Sequence, residues 1–293
     1  MKKHDKNIRK VFHKIHKGHI KSKMGFKRMK NLLNCENLKL AKNYFKNKIC
    51  ADFGCGSTGA GGLNLLDLGA GYVHLIDLDK HIKNPINYNL KKYKGKYQID
   101  VGSIENTPYK KNYFDFILCQ GVLHHMDNDI QGLKEIYRTL KKGGKSLLTV
   151  EGSGGLLNKF LIEVIRPEFK NNQKIRNFLT KIMSGNLKNY EKFMFNHYNS
   201  ETKKIVNFLL KYLDQDLILT IRDRILAQKY KTYNEEALRK ILSNIGFINN
   251  YRIKKKVKYN NIRRIVAPLY YDYSHQISRA LYGEGVISLI ATK

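Results

Sequence analysis

Ile49-Cys50-Ala51-Asp52-Phe53-Gly54-Cys55-Gly56-Ser57-Thr58-Gly59 is the stretch whose reading decides the fold. Five mostly apolar residues form a short buried strand. An acidic residue sits near its end, and a glycine-rich turn then leads into a helix. This is how a nucleotide-binding loop is laid out at the edge of a parallel sheet. Glycine permits the tight turn and lets a ligand approach the backbone, where a side chain would collide. Asp52 narrows the ligand. A carboxylate two residues before Gly54 repels a pyrophosphate and suits a cationic, hydroxyl-bearing nucleoside.

Outward from this loop, strands and helices alternate. Strands are expected at Ile49–Phe53, Tyr72–Asp77, Tyr97–Val101, Phe114–Cys119 and Ser146–Val150. One helix is expected over Thr58–Leu68 and another over Asp127–Lys142, with Leu133, Ile136, Tyr137 and Leu140 on one face. Asp127 or Asn128 would cap the second helix, and Gly143-Gly144 would end it. The rhythm predicts an α/β fold, a parallel sheet with helices on both faces.

After Glu151 the rhythm breaks. Amphipathic helices are expected at Leu156–Ile165, where Pro167 stops the run, at Ile175–Met183 and at Lys203–Leu213. They read as a helical cap inserted after the fifth strand. Asn234 then caps a helix whose buried stripe is Leu238, Ile241, Leu242 and Ile245, ended by Gly246. Strands at Phe247–Val257 and Gly285–Thr292 close the chain. The expected organisation is a basic N-terminal arm over 1–47 and one domain over 48–293. That domain divides into a core at 48–150, a cap insertion at 151–232 and a closing part at 233–293.

The chain has 293 residues, 42% of them hydrophobic, which is enough for a buried core. Its 55 Lys and Arg against 24 Asp and Glu give a formal charge of +31. Such a charge attracts polyanions. It is spread along the chain rather than gathered in one block, as a lysine-rich coding bias would also leave it. Cys35, Cys50, Cys55 and Cys119 form no Cys-x-x-Cys pair, so neither zinc spacing nor a disulfide framework is expected. Cys50 and Cys119 read as small core residues. No apolar run follows the basic N-terminus and none is long enough to span a bilayer. The expectation is a cytoplasmic protein without membrane insertion.

In open α/β sheets, ligands bind beyond the carboxyl ends of the strands. There the sequence places Asp52, Asp77, Gly102-Ser103, Cys119-Gln120-Gly121 with His124-His125 after it, and Glu151. Asp77 suits the two hydroxyls of a ribose, and Asp79 competes with it as a helix cap. His124 and His125 are the nearest groups that could take a proton near neutral pH. His13, His16 and His19 recur in the arm with no carboxylate close in sequence, so no metal site is expected.

Gly54-x-Gly56-x-x-Gly59, Asp52, Asp77, Tyr113-Phe114-Asp115-Phe116 and Leu140-Lys141-Lys142-Gly143-Gly144 together resemble the class I S-adenosylmethionine-dependent methyltransferases. The likeness is to the group of small-molecule and ubiquinone-biosynthesis-type enzymes. It covers about 48–150 and the closing segment, but not the arm or the cap. It implies a Rossmann-like, seven-stranded, mostly parallel sheet and S-adenosyl-L-methionine as cofactor. Asp52, Gly54, Cys55, Gly56 and Gly59 would surround its methionine part, and Asp77 with Leu78 its ribose. Ser103 and Ile104 would meet the adenine, with Ser103 standing where the family usually has an acidic residue. Gln120 would lie beneath the methionine or the methyl group.

The expected function is methyl transfer to a small-molecule acceptor. An RNA acceptor held by the basic segments is the alternative, and an NAD-dependent oxidoreductase or a non-catalytic binding module stand behind it. No Asn-Pro-Pro-Tyr-type turn follows the fourth strand, which argues against methylation of an exocyclic base amine. No cysteine is placed for a 5-methylcytosine mechanism. Oligomeric state is open.

Overall fold

The computed structural model describes residues 9, 11–13, 23–183, 200, 201, 204, 224–227, 229–253 and 275–293. Seven strands form one sheet: β1 (Ile49–Phe53), β2 (Tyr72–Asp77), β3 (Tyr97–Val101), β4 (Phe114–Gln120), β5 (Leu140–Glu151), β6 (Ile248–Arg252) and β7 (Val286–Thr292). Their spatial order is β3-β2-β1-β4-β5-β7-β6. The first five are parallel, and β7 enters antiparallel between β5 and β6. The strand order reverses between β1 and β4, so their carboxyl ends border the crevice where such sheets bind ligands.

Strand composition follows position. β7 carries Ile287, Leu289, Ile290 and Ala291, all fully buried, because it pairs on both sides and is covered on both faces. β6 lies at the edge. Ile248 there is exposed, Asn249 has a positive φ of 51°, and the register shifts before Tyr251. The expected strand Phe247–Val257 is therefore shorter, and its residues 254–257 lie outside the described ones.

The helix expected over Asp127–Lys142 runs only over Asp129–Thr139. Asn128, not Asp127, caps it by accepting from the Gln131 N–H at 3.0 Å. Leu140 leaves the helix to pair with Phe114, so Leu140–Lys142 belong to β5. The pairing recovers backbone hydrogen bonds and buries Leu140 fully, which outweighs helical propensity. The helix over Glu235–Ile245 is capped by Asn234, which accepts from Ala237 N at 3.1 Å, and ends at left-handed Gly246, φ 115°.

Residues 23–47 do more than an arm would. Their helix Lys23–Leu32 and the turns after it send Leu32, Leu33, Leu38 and Phe45, all fully buried, against Phe116, Leu118 and Leu147. They complete one of the two cores flanking the sheet.

The chain divides into two compact units. The first takes Met1–Ser153, Gln228–Val257 and Glu284–Lys293; the second takes Gly154–Ala227 and Lys258–Gly283. The second unit thus draws on a later segment as well as the expected insertion. Within it, Pro167 does not stop the first helix. Leu156–Lys159 passes through a π-helical turn at Phe160–Ile165 into Arg166–Asn171. A proline lacks the N–H that a continued helix requires and crowds the carbonyl four residues back. The wider turn before it accommodates both. Leu156, Leu157, Phe160 and Val164 are exposed. The next helix runs over Gln173–Met183, and the one expected at Lys203–Leu213 lies almost wholly outside the described residues.

Candidate active site

The glycine loop is held by β2. Gly54 N and Cys55 N both donate to the Ile76 carbonyl, at 2.8 and 3.2 Å, and Gly56 N donates to Asp77 Oδ2 at 2.9 Å. Gly54, at φ 77°, cannot be replaced without strain: a Cβ there would stand 2.2 Å from Val122 Cγ2. Gly59, at φ 60°, faces Ile86 and Leu75, so packing and backbone conformation account for it. Two glycines without a role in the sequence reading, Gly61 and Gly62, let the Ala60–Asp67 helix close on Asp52 and Leu75. Side chains there would lie 2.4 Å from Asp52 Oδ2 and 2.6 Å from Leu75.

Asp52 is 3% exposed and lies beneath the first turn of that helix, where Gly62 N donates to its Oδ2 at 3.0 Å. Burial pushes its pKa up to about 7. The Gly62 hydrogen bond opposes the rise, and the Asp77 charge adds to it. Asp77 is half-buried and accepts from Gly56 N and Asp79 N, the latter at 3.0 Å. A carboxylate has about four acceptor positions, so it retains capacity for hydroxyl donors. Leu78 beside it is half-buried. Cys55 is buried, and its thiol is held protonated by burial and by the Asp77 and Asp52 charges.

The turn after β3 is also set. Ser103 Oγ accepts from Glu105 N at 3.2 Å, and Ile104 is buried in the core with Phe53 and Ile76. The sequence reading missed what fixes this turn. Buried Glu135 accepts from Thr107 N at 2.8 Å, from Thr107 Oγ1 at 2.6 Å and from Arg138 at 2.7 Å. Arg138 also donates to the Tyr109 carbonyl at 2.7 Å. Burial alone would raise the Glu135 pKa; the Arg138 and Thr107 hydrogen bonds hold it below the usual value. The only local signal was a Glu and an Arg three residues apart on a helix.

At the tip of β4, Gln120 Oε1 is buried with no hydrogen-bond partner among the described residues. The 3₁₀ turn Leu123–His125 follows, with both imidazoles buried and 4.1 Å apart. His125 Nδ1 lies 3.0 Å from the Lys229 carbonyl, and Lys231 N donates to the His124 carbonyl at 2.9 Å. Tyr230 packs edge-on against both rings, and Phe12 against His125. Asp129 anchors the same crossing, accepting from the Tyr233 hydroxyl at 2.7 Å and from Lys231 Nζ at 2.5 Å. Residues 229–233 had no site role in the sequence, because they reach this turn across about a hundred positions.

Two motif residues lie elsewhere. Asp115 accepts from Ile49 N and Lys141 Nζ, each at 2.9 Å, so it ties the starts of β1, β4 and β5 together at the opposite end of the sheet. No carboxylate lies near His13 in sequence, but the fold supplies one: His13 Nδ1 is 2.8 Å from Asp79 Oδ2. Asp79 is sixty-six positions away in sequence, so only folding brings the pair together.

The polar groups at these tips fit an adenosyl sulfonium group. Asp52, Asp77, Ser103 Oγ and the orphaned Gln120 Oε1 are acceptors, and two of them are carboxylates that a cation would relieve. The first three loop N–H groups, those of Gly54, Cys55 and Gly56, are already engaged by Ile76 and Asp77.

Residues 51–148 match the family model of a methyltransferase domain. An uncharacterized protein of Methanocaldococcus jannaschii is 34% identical over 99 residues, covering 32% of this chain and 44% of that protein. A tRNA U34 carboxymethyltransferase of Campylobacter fetus is 29% identical over 102 residues, covering 34% of this chain and 35% of that protein. The chain thus spans less than half the length of either relative. An S-adenosylmethionine-dependent methyltransferase structure from Mesorhizobium loti superposes with a TM-score of 0.50 at 10% identity. It covers 88% of this chain and 95% of that one, a likeness of fold. No helix among the described residues is long and apolar enough to cross a membrane.

Proposed function

We propose that this chain, whose residues 51–148 match a methyltransferase domain, is a class I S-adenosylmethionine-dependent methyltransferase that transfers a methyl group from S-adenosyl-L-methionine to a small-molecule acceptor. The observation that carries the reading is the state of the glycine loop. Its first N–H groups are bonded within the protein, and the unsatisfied capacity around it is acceptor capacity. That favours a cationic nucleoside over the pyrophosphate of NAD.

The cofactor supplies a methyl group on a sulfonium, already activated for in-line displacement. The protein's part is alignment and exclusion of water. Asp77 would accept from the ribose hydroxyls, and Ser103 from the adenine amine. Asp52 would offset positive charge from below the loop. Gln120 would meet the methionine part through the Oε1 that now has no partner. His125, with Nδ1 at the Lys229 carbonyl, positions the segment 229–233. His124 is the group we assign to take a proton from an acceptor that must lose one.

RNA is the second reading of the acceptor. The charge of +31 favours it, and one relative over this segment acts on tRNA by its name. Calorimetry of the purified chain with S-adenosylhomocysteine and with NAD tests the donor. Binding of the first and not the second is expected, and the converse would overturn the proposal. Radiolabelled S-adenosylmethionine with a panel of small molecules and total tRNA then tests the acceptor. Label entering tRNA, with binding that falls steeply as salt rises, would select RNA.

A further inference from the structure

We propose that His13, Asp79 and His81 form a zinc site that pins residues 11–13 to the turn following β2. One ligand atom from each of the three residues lies within 4.8 Å of the other two. His13 Nδ1 and Asp79 Oδ2 are 2.8 Å apart, and the His13 and His81 rings lie tilted by 44° with centroids 4.5 Å apart. Two imidazoles and one carboxylate are a common ligand set for zinc, which then keeps an open position for water.

The carboxylate is oriented before any ion arrives. Asp79 is 2% exposed, its Oδ1 accepts from His81 N at 3.0 Å, and its own N–H donates to Asp77 Oδ1. Such support around a ligand fixes where its free oxygen points. Around tetrahedral zinc, neighbouring nitrogen and oxygen ligands stand about 3.3 Å apart. The His13–Asp79 pair is close to that spacing already. His81 is exposed, so its ring is free to turn toward the other two ligand atoms, which already lie within 4.8 Å of it. On binding, His13 Nδ1 gives its lone pair to the ion, and the proton it shares with Asp79 passes to Nε2 or to water. The site uses none of the residues assigned to the methyl donor, so it stands apart from the methyltransferase reading.

The test is metal titration of the full chain after chelator treatment. Cobalt(II) is expected to bind one per chain with the visible absorption of a four-coordinate ion, and zinc to discharge that absorption. His13→Gln and His81→Gln should each weaken binding at least tenfold. His275→Gln, at an exposed histidine in the second unit, should change nothing. Because His81 is exposed, His81→Gln keeps the fold, which far-ultraviolet circular dichroism verifies. Absence of the cobalt absorption, or unchanged affinity in His81→Gln, would leave a plain hydrogen-bonded pair and overturn the site.

Discussion

The glycine loop after β1 and the double-histidine turn after β4 lie at the tips of adjacent strands, yet they are built differently. The loop is local. Six consecutive residues, Gly54 to Gly59, make it, and its partners Ile76 and Asp77 come from the next strand. The turn is assembled at long range, with His125 and Asp129 each meeting residues 104 positions later. A loop made of local backbone is readable in a short stretch and is broken by single backbone changes. A turn made of distant segments is tuned by side chains.

Gly54→Val should break the donor half most severely. It adds a branched side chain at a positive φ, where Val122 leaves no room, and is expected to cost about 3–5 kcal/mol in stability. It should also abolish S-adenosylhomocysteine binding by calorimetry. Loss of stability with intact affinity would show that the loop tolerates a side chain.

Glu135→Ala removes the brace behind the β3 turn and leaves Thr107 N–H buried without its acceptor, a loss of about 2–4 kcal/mol in chemical denaturation. The depressed Glu135 pKa gives the sign with pH. Its contribution is complete above the ordinary glutamate value and disappears as pH falls through the lower folded value. Wild type and variant should therefore converge in stability at strongly acid pH.

Asp77→Ala should weaken donor binding by about 1.5–3 kcal/mol, the scale of a charge-assisted hydrogen bond. It also frees Gly56 N–H, so loop order should be checked by hydrogen exchange at Gly56. Unchanged affinity would remove the ribose assignment.

Tyr233→Phe sharpens the comparison from the other side. It breaks the hydroxyl contact with Asp129 and should cost about 1 kcal/mol in stability. Donor affinity should stay the same while turnover falls. A matching drop in donor affinity would mean the two halves are coupled.

Asp52→Asn acts in the opposite direction, stabilising the chain, and the size of its effect depends on pH. The folded pKa lies above the unfolded one, so the native carboxyl costs stability increasingly between about pH 4 and 7, and fully above that. The variant should match wild type near pH 4 and melt higher at pH 8. A lower melting temperature at pH 8 would show that the charge is compensated within the protein.

Much of this was legible beforehand, for physical reasons. β1, β2 and β3 have the boundaries the sequence predicts; for β1 and β2 the reason is that buried parallel strands are short apolar runs between turn residues. The Asp129–Thr139 helix was over-extended, because Leu140–Lys142 suit a helix and only pairing with β4 makes them strand. The proline at 167 misled for a related reason: a proline stops an ordinary helix, but a locally widened turn carries the chain through it.

Taken alone, the sequence determined the strand alternation, the glycine loop and the acidic residues at the strand tips. Those features depend on neighbours within a few residues, where periodicity and turn chemistry act. Tertiary structure alone decided that Asp52 is buried under a helix and that Glu135 braces the β3 turn. It also decided that residues 229–233 lock the histidine turn and that His13 meets Asp79. Each depends on groups brought together only after the sheet has closed its crossovers, and no local pattern encodes that distance.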